Sequence, residues 1–201
     1  MTDPKINSIL DEGNVIFLQG RFNEAISYYD KVIDDDPNHA SALNNKGYAL
    51  SKLKNYDDAV KCYDDVLKVF PEDLTALVNK ISLLRKQGNY ADALSICNSI
   101  LIKIPKYNTV LYHKERILFS MGNFDESIVC CGMILNDYPE NADVLFDKSC
   151  SLAMLSKNDE SFNFLERAIY HDIKYKSKAK KSKYFEKLLN ESKFQNLVMR
   201  S

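Results

Sequence analysis

Apolar residues in this chain fall on helical faces, and the same faces return every 34 residues. Aligned in windows 6–39, 40–73, 74–107, 108–141 and 142–175, one column reads Ile9, Leu43, Leu77, Leu111, Leu145. A second column, seven residues on, reads Ile16, Leu50, Leu84, Leu118, Leu152. A spacing of seven puts both columns on one side of a helix, the side that must be buried. Each window therefore opens with an amphipathic helix, here called helix A. Gly20, Gly88 and Gly122 share a later slot, where a left-handed C-cap favours glycine. An aromatic follows two residues later (Phe22, Tyr56, Tyr90, Phe124), and acidic residues then open a second helix B, matching the positive end of its dipole.

Within helix B one slot stays small: Ala25, Ala59, Ala93, Ser127, Ser161. A small side chain there predicts close approach of the two helices. Val32/Ile33, Val66/Leu67, Ile100/Leu101 and Ile134/Leu135 supply the rest of the core. Pro37, Pro71, Pro105 and Pro139 stop helix B, since proline lacks an N–H and crowds the preceding turn. A fixed period of this length is the mark of a stacked-repeat architecture.

These windows resemble tetratricopeptide repeats. The second carries the pattern best, with Leu43, Gly47, Leu50, Tyr56, Ala59, Tyr63 and Pro71, and the first has Gly13, Gly20, Phe22, Ala25, Tyr29 and Pro37. The small helix-A slot becomes Ile81, Glu115 and Ser149 in later windows. The fifth window loses its proline (Ile173), turn glycine (Ser156) and aromatic (Asn158), yet keeps the buried phase at Leu145, Leu152, Leu165 and Ala168/Ile169. The resemblance implies an all-α, right-handed solenoid of about five helix-turn-helix repeats over residues 1–175. Residues 176–201 are expected to cap it with a lysine-rich helix over 176–190, striped by Ala179, Tyr184, Phe185, Leu188 and Leu189. A short closing helix follows at 192–199, pinned by Phe194, Leu197 and Val198.

In that family helix A lines the concave surface, so the resemblance places a peptide-binding groove on the exposed slots of the A helices. One slot reads Asp11, Asn45, Asn79, His113, Asp147, and an asparagine there can donate to and accept from an extended backbone. Neighbouring slots bring Asn14, Tyr48, Arg85, Tyr112, Arg116, Phe119 and Phe146. The expected surface is polar and basic in its middle and aromatic at its C-terminal end, suited to an extended protein segment with acidic residues and an apolar anchor. The chaperone-tail clamp found in some members needs cations that Leu10 and Thr75 do not supply, so a chaperone carboxylate is not the expected partner.

Charge adds one feature. The chain carries a net −1, but residues 174–201 hold nine Lys/Arg against Glu186 and Glu191. The expected role of those lysines is a solvated cap, with contact to nucleic acid or another anionic surface as the rival; self-association through the fifth window or the cap is a further rival. No run of apolar residues approaches the ~20 needed to span a bilayer, and the start, Met1-Thr-Asp-Pro-Lys5, has no signal-peptide core. A cytoplasmic address follows as an expectation. Cys62, Cys97, Cys130, Cys131 and Cys150 show no zinc-type spacing and are expected as small buried hydrophobes in a reducing compartment. No nucleophile elbow, metal-binding helix or phosphate loop is present, so the sequence points to a non-catalytic scaffold that needs no cofactor or metal.

Overall fold

A computed structural model describes residues 4–199. Ten helices form five consecutive pairs: α1 (Pro4–Leu18) with α2 (Phe22–Asp35), α3 (Ala40–Lys52) with α4 (Tyr56–Val69), α5 (Leu74–Lys86) with α6 (Tyr90–Lys103), α7 (Asn108–Ser120) with α8 (Phe124–Asp137), and α9 (Ala142–Met154) with α10 (Asn158–His171). They are followed by α11 (Lys174–Lys181), a 3-10 segment (Lys183–Leu188) and α12 (Ser192–Met199). The chain forms two compact units, Met1–Ile96 and Cys97–Ser201, divided within α6.

Each of α2, α4, α6 and α8 ends two residues before its proline. Two residues after the proline stands the N-cap of the next helix A. There His39 Nδ1 accepts the Ala42 N–H, Asp73 that of Ala76 and Asn141 that of Val144. Each satisfies one of the N–H groups a helix start leaves unpaired. At the start of α6, Asn89 Oδ1 likewise accepts the Asp92 N–H at 3.4 Å, but the other four B helices start differently. Arg21, Asn55, Asn123 and Lys157 make no side-chain cap bond, and carboxylates such as Asp57, Asp58, Asp125 and Glu126 in the first turn act through charge.

In the N-terminal unit, Leu43, Leu50, Ala59, Tyr63, Val66, Ala76 and Leu83 make one buried cluster, and Ile16, Ala25, Tyr29 and Ala49 another. Gly13 and Gly47 let the tyrosines in: an added Cβ would stand 2.9 Å from Tyr29 Cε1 and 2.7 Å from Tyr63 Cε1. The turn glycines Gly20, Gly88 and Gly122 have φ near +80° (79°, 78° and 81°). The same slot is left-handed at Lys54 (64°) and Ser156 (58°), where no glycine relieves it.

In the C-terminal unit the small slot of helix B becomes polar and stays fully buried. Ser127 donates to Glu115 Oε1 at 3.0 Å and lies 3.0 Å from Ser151 Oγ, while Ser161 donates to the Ser149 carbonyl at 2.9 Å. Glu115 and Ser149 occupy the small helix-A slot of their windows, so the helix pair there meets through hydrogen bonds where Gly13 and Gly47 admit a ring. The cap is not one helix over 176–190. It breaks at Ser182, whose hydroxyl accepts the Tyr184 N–H, and the 3-10 segment folds onto α9. Phe185, Leu188, Phe194 and Val198 then join Leu145, Phe146, Phe162, Leu165 and Tyr175 in one core cluster. Leu189 is exposed, and Tyr175, fully buried, is a core residue the periodicity does not reveal. Met1 to Asp3 and the cationic Arg200 lie outside the described residues.

Candidate protein-binding surface

The N-terminal unit gathers Asn14 on α1 with Asn45 and Tyr48 on α3. Asn45 Nδ2 donates to Asn14 Oδ1 at 2.8 Å, and the Tyr29 hydroxyl donates to the same oxygen at 3.2 Å. Tyr48, 41% exposed, sets its ring 5.3 Å from Phe17, which lies 5.2 Å from Phe22. Lys52 Nζ stands 4.9 Å over the Tyr48 ring. Together Asn14, Phe17, Leu18, Tyr29, Asn45 and Tyr48 line an open cavity of about 320 Å³. Asn79 and Arg85 are half-buried on α5 and do not line it.

The C-terminal unit repeats this arrangement 102 residues later with changed chemistry. Arg116 takes the slot of Asn14 and Asp147 that of Asn45, and the amide pair becomes an ion pair at 3.6 Å. Arg116 also donates to the Tyr112 hydroxyl at 2.5 Å. Burial raises the Asp147 carboxyl above its ordinary value, against the pull of Arg116 and Lys178. Phe119 takes the slot of Phe17 and meets Phe124 at 5.3 Å, as Phe17 meets Phe22. The third ring differs: Cys150 occupies the slot of Tyr48, and Tyr184 from the 3-10 segment meets Phe119 edge-to-face instead, at 4.8 Å.

The expected aromatic end of the groove is therefore filled by the chain itself. Phe146 is 3% exposed, packed on Tyr175 (4.8 Å) and Phe185 (6.0 Å), with Lys178 Nζ 4.4 Å over its ring. It is a core residue of the capped repeat, and Phe119 is half covered. Tyr112 and His113 are half-buried on α7. Phe17 and Leu18 are surface residues that the column reading passed over. The signal was present, since Phe17 shares a slot with Phe119 and lies three residues after Asn14 on one helical face.

Several lysines of the basic segment are engaged locally. Lys174 pairs with Asp172 at 2.7 Å, Lys193 with Asp159 at 2.8 Å, and Lys178 covers Phe146 and Tyr175. All five cysteines are free and buried. Desolvation pushes Cys62 and Cys130 up to about 11 and Cys97 to about 12, with Cys131 and Cys150 also raised. Among the described residues no group of His, Cys, Asp and Glu is placed to hold a metal ion, and no helix is long and apolar enough to cross a membrane.

A series of helix-turn-helix pairs in 34-residue register, with turn glycines, a small helix-B slot and a terminal proline, defines a tetratricopeptide-type repeat protein. Residues 5–128 match the family described as "Tetratricopeptide repeat protein 21 N-terminal ARM repeat", more than half of the chain, and the chain belongs to that family. Among solved structures it is similar to MamA (41-end) from Desulfovibrio magneticus RS-1, at 18% identity and TM-score 0.79 over 87% of this chain and 98% of that one. YrrB, described as a TPR protein with an unusual peptide-binding site, matches at 18% identity and TM-score 0.71 over 87% and 91%. At these identities the likeness is one of fold. No curated protein matches the chain. Repeat proteins of this class are protein-interaction scaffolds, and that general description applies here.

Proposed function

We propose that the N-terminal unit binds an extended segment of a partner protein across the A-helix faces of α1 and α3. The observation that carries this reading is the cavity where the Asn14–Asn45 pair sits beside Phe17, Leu18 and Tyr48. Asn14 Oδ1 is engaged twice, so Asn14 Nδ2 and Asn45 Oδ1 remain as one donor and one acceptor. That is the complement of one peptide unit, which offers one C=O and one N–H. The amides hold each other in place before a ligand arrives, which lowers the ordering cost of binding. Leu18, 84% exposed, and the Tyr48 ring offer an apolar anchor, and Lys52 beside that ring favours a nearby carboxylate in the ligand. The unusual peptide-binding site named for YrrB, a protein of the same fold, supports the reading.

The test is a displayed library of extended peptides, with the best binder titrated by fluorescence anisotropy. Asn45→Ala and Tyr48→Ala are expected to weaken it about tenfold each, with the helical circular-dichroism spectrum intact. Unchanged affinity in the double variant would remove the site from this face.

A further inference from the structure

A second surface lies on the opposite kind of helix. Helix B of the fifth pair, α10, is followed by a helix of eight residues rather than by another full pair. One flank of α10 is left open beside α12, and the two helices wall a groove of about 930 Å³. Its lining on α10 runs from Asp159 to Tyr170 and includes Phe162, Glu166 and Ile169 or Tyr170, which follow one another at three-and-four spacing as a helical stripe, flanked by Glu160, Asn163 and Phe164. From α12 come Lys193, Asn196 and Leu197. The stripe covers about three turns, roughly 16 Å.

The groove has an apolar floor and an acidic edge. Phe162 is buried, Ile169 and Leu197 are half-buried, and Tyr170 stands 86% exposed at the lip. Asp159, Glu160 and Glu166 supply three carboxylates, against one ammonium from Lys193 that is already bound to Asp159 at 2.8 Å. Asp159 and Glu160 complement the N-terminal dipole of α10. Glu166, in mid-helix, has no such local task.

We propose that this groove docks a basic amphipathic helix of a partner protein. A helix of about three turns fits the length of the stripe and takes the place of the full pair that the chain does not add after α10. Its apolar face would lie on Phe162, Ile169, Tyr170 and Leu197, and its lysines or arginines would meet Glu160 and Glu166. This is the helix-in-groove mode, with charge setting orientation and apolar anchors setting affinity. It does not depend on the peptide site of the N-terminal unit.

The probe is a synthetic amphipathic peptide of about three turns, leucine on one face and lysine on the other, beside a twin with glutamate for lysine. The intact protein should bind the lysine peptide, more weakly as salt rises, and bind the glutamate twin at least tenfold less well. The exposed charge reversals Glu160→Lys and Glu166→Lys together should invert that preference. Tyr170→Ala should weaken the lysine peptide without inverting it. Equal binding of both peptides, or an unchanged preference in the double reversal, would overturn the proposal. So would sedimentation showing a dimer of the intact chain that the double reversal dissolves, because the groove would then belong to a second copy.

Discussion

Lys54 and Ser156 take a left-handed backbone in the slot where three other windows place glycine. A side chain there costs about 1 kcal/mol. Lys54→Gly and Ser156→Gly are each expected to raise unfolding free energy by about that amount in urea titrations, although neither removes or adds a contact. The buried Ser127–Glu115 pair carries the opposite lesson. Ser127→Ala takes a hydrogen bond from a buried carboxylate and should cost about 1–3 kcal/mol. The third window holds Ile81 and Ala93 in those two slots, both buried. Glu115→Ile with Ser127→Ala should therefore cost less than Ser127→Ala alone, a non-additivity that a double-mutant cycle reads directly. The columns made both slots visible in the sequence. That Glu115 would be buried was not, because a charged residue in a small slot reads as a lapse of the repeat until its partner is seen.

Among the elements, the five helix pairs follow from periodicity and from proline and glycine punctuation, and their ends lie where those residues put them. The cap does not follow. Lys174 to Asn190 contains no proline or glycine, and local propensity favours one continuous helix. Tertiary packing breaks it, since Phe185 and Leu188 reach the α9 core only if the chain turns at Ser182. Phe185→Ala is expected to destabilise the C-terminal unit by about 3–5 kcal/mol, measured by urea unfolding. The same packing removes Phe146 from the surface: its slot is half-buried at Leu10, Val78 and Tyr112 and buried at Asn44, and at Phe146 the rings of Tyr175 and Phe185 cover it. Asn14 and Asn45 stay half-buried and Tyr48 exposed, because no distant segment of their unit covers them.

For the molecule as a whole, the five thiols are spread over both units, Cys62 in the first and the other four in the second. Burial leaves only about one thiolate in a thousand at pH 8 for a thiol near 11, so the native protein should react slowly with a disulfide reagent. Five equivalents should appear in denaturant, and a partial reaction of four would mark the C-terminal unit opening ahead of the first. Rapid labelling of the native protein would contradict the burial described. The paired slots 102 residues apart also show the scaffold's economy of change: an amide pair left open in one unit is an ion pair under a cap in the other.

Tyr184 meets Phe119 edge-to-face and thereby stands in for the tyrosine that the slot of Cys150 lacks. The closing segment is thus keyed to the last two helix pairs at once. A 34-residue unit copied after His171 would carry the segment away from both Phe119 and Phe146 and leave their rings bare. A unit copied upstream of Asn108 would leave both contacts untouched. An engineered extension of this array therefore belongs at its front, where it keeps the contacts of the closing segment with the last two pairs intact.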